Sequence, residues 1–301
     1  MFTERAKRER DRKLEGFTLS PNPGVDLLES TLGIRFPIRP VAIALSPENK
    51  RMLFQKASLT AAGREIIGKI GTLFAYYETQ FQAYFFNPIG DNAYVSAHEN
   101  MHGFTSMINP KTERLIRSRN PEKGIVARCF GEGMSEWAAI EALYRSPNES
   151  DQIEARRQQD LKTHGVKSRR NFVDRNFRAV EISLIAKHIS QMDLKPTSAF
   201  GQVIQGAVKA GSFGFGEYNF INPQYIVGYH FVSHAMHTLV DSAYMTVPEA
   251  MTFLIKHPPT EMSNLRKPED YVASVLKRPI SRIASLRRHA NQPVDHIHAV
   301  S

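Results

Sequence analysis

Apolar positions change their period along this chain, and each change marks an element. Residues 41–45, Val-Ala-Ile-Ala-Leu after Arg39-Pro40, have the unbroken apolar content of a strand, and 80–86, Gln-Phe-Gln-Ala-Tyr-Phe-Phe, read as an aromatic strand. Between them, 60–77 carry a helical period. Pro88, Gly90 and Asp91 read as a turn ending in a helix N-cap, after which Ala93, Ala97, Met101 and Phe104 recur at helical spacing. A polar, basic connection occupies 109–120. From Pro121 onward nearly everything reads as helix: 121–145, 152–162, 171–192, 198–209, 223–242, 248–256, 268–277 and 280–290. The start, 1–15, reads as a basic helix or disordered arm, and 20–24 as a proline-rich linker. Glycines and aromatics at 211–218 suit either a mobile loop bordering a cleft or a packed connection. No internal repeat or low-complexity tract is visible.

The helix expected from residue 93 carries His98-Glu99-Asn100-Met101-His102. Residues i and i+4 share a helix face, so both imidazoles can converge on one ion while Glu99 reaches a metal-bound water. Zinc would lower the pKa of that water to roughly 7, and Glu99 would take its proton as it attacks a carbonyl. With 11 histidines in 301 residues, a chance match arises on the order of a few times in a hundred chains, so context decides. Two solvated histidines on an ordinary helix are the bland alternative.

Context comes from Gly131-Glu132-Gly133-Met134-Ser135-Glu136-Trp137, which opens a helical pattern with a carboxylate. A catalytic zinc needs a third protein ligand and an open position, and Glu132 can supply that ligand. Glu136, one turn on, can accept a hydrogen bond from the second nitrogen of a liganding histidine and fix its tautomer. Solvated glutamates would be the ordinary reading of both. Against it, a glycine inside a helix costs up to about 1 kcal/mol, so the two glycines flanking Glu132 point to close backbone packing.

His98-Glu99-x-x-His102 followed by Glu132-Gly133-Met134-Ser135-Glu136-Trp137 resembles the gluzincin clan of zinc metallopeptidases, whose third ligand is a Glu in an E-G-x-x-E/T-Y/W helix. The 29 residues between His102 and Glu132 exceed the gap in the thermolysin-like and aminopeptidase branches, which implies an insertion beside the cleft. Tyr225-Ile226-Val227-Gly228 is similar to the clan's Y-x-x-G helix start, and the resemblance carries stabilisation of the oxyanion onto Tyr225. From the residues alone, Tyr225 is equally a half-buried amphipathic side chain. His257-Pro258-Pro259-Thr260-Glu261 through Tyr271 looks like the P-P-T-S-T-E-Q segment of a set of bacterial gluzincin-like peptidases, departing from it at Met262-Ser263-Asn264 and at Lys267, where the family has a His. The resemblance implies an α+β, zincin-like (thermolysin-type) fold with a small strand-bearing N-terminal lobe and a mostly helical C-terminal lobe. It also implies a peptide or protein substrate and Zn2+ held by His98, His102 and Glu132. In gluzincins an edge strand beside the active-site helix pairs with substrate, which makes 80–86 the candidate, an ordinary core strand being the alternative. The domain expectation is an arm and linker at 1–24, a catalytic domain at 25–290 with lobes meeting near 110/111, and a polar tail at 291–301.

A rival constellation is His230, His234 and His237, at i, i+4 and i+7 on one helix face. These could bind a metal, but no carboxylate follows at short range to serve as base, and packed histidines are the plainer reading. His230, just over one turn after Tyr225, could face the cleft and stabilise the transition state, as a histidine does in thermolysin-like members. His289, His296 and His298 fall in the polar tail.

Composition narrows the remaining classes. At 42% hydrophobic the chain can bury a full core, and its single cysteine, Cys129, excludes an intramolecular disulfide framework. No apolar stretch nears the roughly 20 residues that cross a bilayer, and residues 1–13 are charged rather than signal-like, so a cytoplasmic protein, or one exported without a cleavable signal, is expected. The net charge of +9 gathers at the N-terminus, around 162–178 and at Arg282, Arg287 and Arg288. That surface suits an acidic partner and keeps open a nucleic-acid-binding protein with structural zinc, or an inactive or non-peptidase relative. No zinc-finger spacing or RNA-binding signature accompanies it, and a structural zinc has no use for Glu99 beside its ligand.

Overall fold

A computed structural model describes residues 2–57, 75–79, 81–89, 91–163, 173–181, 184 and 223–277. The expected helices at 198–209 and 280–290, the 211–218 loop and the tail histidines lie outside the described residues, as do 60–74 of the expected 60–77 helix and most of the second half of 171–192. What is described is mostly helical with one small sheet, an α+β arrangement. Helices α1 (Phe2–Leu14) and α2 (Pro23–Leu32) precede β1 (Val41–Ala44) and α3 (Pro47–Ala57); then come β2 (Ala75–Glu78) and β3 (Ala83–Phe86). The sheet order is β1-β3-β2, with β3 parallel to β1 and antiparallel to β2.

Alternation along the strands sorts the sheet's two faces. Tyr76, Phe85 and Ile43 join Leu14, Phe17, Leu45, Leu53 and Phe81 on one side, while Ala42, Ala75, Tyr84 and Phe86 face Val95 on the other. Three expectations change here. Residues 75–77 are strand, because Tyr76 and Tyr77 pair with Phe85 and Tyr84 of β3. The part of the 80–86 run that forms β3 is central among the described strands, so β1 and β2 are the outer ones. The supposed arm and linker pack into the body: Leu14 and Phe17 are buried, Arg10 Nη1 donates to Arg39 O at 2.6 Å, and Asn22 caps α2.

The helical part runs α4 (Ala93–Ile108), α5 (Lys111–Ile116), α6 (Pro121–Tyr144), α7 (Glu149–Thr163), a helical piece at 173–181, and α8 (Pro223–His237), which passes into a π-helical turn at Thr238–Ser242. It closes with α9 (Val247–Lys256), α10 (Met262–Arg266) and α11 (Pro268–Leu276). One apolar cluster joins Leu28, Met101, Phe104, Phe130, Met134, Phe231, Met236 and Leu254, so the core runs across the expected lobe boundary at 110/111. The long spacer before Glu132 is spent on the end of α4, on α5 and on three turns of α6, not on an insertion beside the cleft. Asn120 caps α6 and Pro121 takes its first turn, which is why that boundary was readable. The 257–267 segment docks α10 on α6: Glu261 caps it, and Met262 N–H donates to Glu122 Oε1 at 3.0 Å. No helix among the described residues is long and apolar enough to cross a membrane.

Two close approaches set the position of the functional helices. A Cβ on Gly133 of α6 would strike the backbone of Gly228 of α8, and one on Gly228 would strike the Cys129 carbonyl. A Cβ on Gly131 would meet nothing, so only one of the two glycines beside Glu132 answers to packing. On the other side of α4, Gly24 of α2 lies against the Ser96–Ala97 backbone and donates to Ser96 Oγ at 3.0 Å. Asn22 and Asn100 exchange amide hydrogen bonds of 3.0 and 2.8 Å, clamping the rotation of α4 from the face opposite its histidines.

Candidate metal centre

Asn92 caps α4 by accepting from Val95 N–H at 2.8 Å, one position later than expected, because Asp91 instead accepts from the Tyr84 hydroxyl. His98 and His102 then stand one turn apart, with their Nε2 atoms 3.2 Å from each other. Glu132 Oε2, delivered by α6, lies 3.4 Å from His98 Nε2 and 3.3 Å from His102 Nε2. A tetrahedral centre with bonds of about 2.0–2.1 Å has its ligand atoms about 3.3 Å apart, which is the triangle observed. Glu132 Oε2 is buried and accepts no well-formed hydrogen bond, so the atom best placed to bind an ion is the one left unsatisfied. These residues therefore fit a metal ion, and they are the group of three or more ligand-type side chains that converge among the described residues. His98 is 8% exposed, while His102 and Glu132 are 29% and 25% exposed, so the triangle opens to solvent on one side.

The electrostatics of the metal-free site match a trapped proton. Burial disfavours charge on His102, but Glu132 outweighs it and raises the imidazole to about 9. Burial likewise opposes ionisation of Glu132, yet His102 and His98 hold its carboxyl well below the usual range. Glu99, on the sheet-facing side of α4, is pushed up by burial despite the neighbouring imidazoles. Its Oε2 accepts from Tyr77 N–H of the outer strand β2 at 3.1 Å. That approach depends on Gly103, where a Cβ would collide with the Tyr77 ring.

Glu136 sits behind His98, its Oε1 3.5 Å from Nδ1, longer than a good hydrogen bond but on the side opposite Nε2. Its other oxygen is held twice, by the Tyr94 hydroxyl at 2.5 Å and by Lys162 Nζ at 3.1 Å. Lys162 is 5% exposed and lies over the Tyr225 ring, 5.5 Å from its centroid. Tyr225 in turn stacks on His98, with 5.9 Å between centroids and 21° between planes. Burial and the surrounding carboxylates, Glu132 foremost, push its phenol well above the ordinary range, so it remains a proton donor.

His230 is placed differently. Five residues on from Tyr225, it is rotated by about 140° around α8, and its ring meets Phe177 and His234. His234 pairs with Glu269 at 3.2 Å and His237 with Asp241 at 2.6 Å, so the rival trio does not share a point. Cys129 is buried, and its thiol is pushed up to about 12, chiefly by that burial, which removes it as a ligand or nucleophile. Reading the sequence missed Tyr94, Tyr77 and Lys162. Lys162 stands in a basic cluster that reads as solvated, and nothing local reveals that α7 turns it inward. No protein-family model, curated protein or solved structure matches the chain.

Proposed function

We propose that this protein is a zinc-dependent metallopeptidase of gluzincin type, with a zincin-like arrangement of its α+β fold. The observation carrying this reading is the 3.2–3.4 Å triangle of His98, His102 and Glu132 with the buried carboxyl of Glu99 beside it. A zinc ion held by those three side chains would supply Lewis acidity, acidifying water and polarising a carbonyl. Glu99, anchored through Oε2 by the Tyr77 amide, takes the proton of the attacking water and returns it to the leaving amine. Its raised pKa suits both halves of that task. Tyr225 donates its hydroxyl proton in a hydrogen bond to the oxyanion, held in place by His98 on one side of its ring and by Lys162. Glu136 orients His98 from behind, and Lys162 balances the charge that Glu136 adds.

The test is metal content together with cleavage of a mixed peptide library by full-length protein, wild type and Glu99→Gln. Both should hold about one zinc per chain, and the variant should lose roughly 10²–10⁴-fold of the cleavage rate. Zinc without cleavage in the wild type would contradict the peptidase assignment, and a chain without zinc would remove the centre itself.

A further inference from the structure

Arg128 lies one turn before Glu132 on α6, where Cβ atoms are about 5–6 Å apart. Between Gly124 and Glu136 every residue of this helix is buried except Arg128 and Glu132. Both therefore lie on the one face of α6 that the packing leaves partly uncovered, the face that carries the candidate ligand Glu132. Arg128 Nε is buried and donates to nothing. Glu132, the carboxylate on its own face, is committed to His98 and His102. The guanidinium keeps its charge, and leaving its buried Nε–H without an acceptor is unfavourable, so an acceptor brought by a bound group is the natural partner.

We infer that Arg128 anchors a carboxylate of the substrate, placing it about one helical turn from the scissile bond. This rests on the metallopeptidase reading above. A planar fork of N–H donors matches a carboxylate with two parallel hydrogen bonds, and peptides carry that group at the chain end and on Asp or Glu side chains. Arg128 is thus a specificity-determining residue, and acidic or C-terminally free peptides are the preferred substrate class.

Zinc-loaded full-length protein would be titrated calorimetrically with four matched peptides: one with a free C-terminus, its C-terminal amide, and amidated forms carrying an internal Glu or Gln. Cleavage of the same four would be followed by mass spectrometry. The carboxylate forms should bind about tenfold or more tightly than their neutral isosteres. Arg128→Gln should remove that preference by weakening the carboxylate forms alone, and Arg128→Lys should keep part of it. Preference for the free terminus over internal Glu identifies chain-end recognition, and the reverse identifies an acidic side chain. Equal binding of charged and neutral peptides, no binding of either, or a preference that survives Arg128→Gln would overturn the anchor. Indiscriminate cleavage would sink the anchor and leave the peptidase, whereas Arg128-dependent binding without cleavage would do the opposite.

Discussion

Helices α4 and α8 both present histidines a turn apart on one face, and they do different things with them. On α4, His98 and His102 close on a carboxylate oxygen that α6 brings to within 3.4 Å of each ring. On α8, His234 and His237 each take a separate acid, Glu269 and Asp241, and His230 packs against Phe177. Spacing along one helix is therefore only half of a metal site. The other half is a second helix close enough to deliver the third ligand: Met101 and Phe104 of α4 share one apolar cluster with Phe130 and Met134 of α6, while the Gly133–Gly228 crossing seats α8, with Tyr225, against α6.

The sharpest way to break this contrast is to remove one histidine from each helix. His102→Ala should weaken zinc affinity by well over a hundredfold, beyond the 10–100-fold typical of outer partners, while His234→Ala should leave affinity unchanged by the same chelator competition. Protons should compete with the ion at α4. With His102 raised to about 9 in the metal-free protein, its Nε2 must lose a proton to bind, so apparent affinity should rise about tenfold per pH unit up to about pH 9 and then level off. Glu132, held well below the ordinary range, contributes no further slope between pH 5 and 9. Glu136→Gln and Lys162→Met should each cost about 10–100-fold in metal affinity or turnover, with Lys162→Arg recovering part of it. Smallest is the effect on the crossing itself: Gly133→Ala should lower stability by about 1–3 kcal/mol in denaturant titration, while Gly131→Ala, with room for the methyl, should raise it by up to about 1 kcal/mol.

Much of this was legible in the residues, and the reasons differ by element. Helix α6 announced itself through Pro121, and its candidate metal ligand, Glu132, through a spacing that only a helix makes useful. Local punctuation of that kind carries boundary information without any tertiary context. Helices α2 and α3 were passed over although Pro23 and Pro47 occupy their first turns: both are short, and α2 begins inside the stretch that reads as linker. Strand β2 was folded into a helical pattern because Tyr76 and Tyr77 fit either period, and only pairing with β3 decides. Lys162, Tyr94 and Arg128 carry ordinary identities at ordinary spacings. What makes each exceptional is its environment: the buried carboxylate of Glu136 for the first two, a buried Nε without an acceptor for the last.

X-ray absorption at the zinc edge, on full-length protein loaded with one equivalent of zinc, tests the central claim most directly. Two imidazoles and otherwise oxygen ligands, all at about 2.0–2.2 Å, are expected, with one imidazole lost in His102→Ala and none in His234→Ala. A sulfur ligand, a third imidazole, or a spectrum altered by His234→Ala would contradict it.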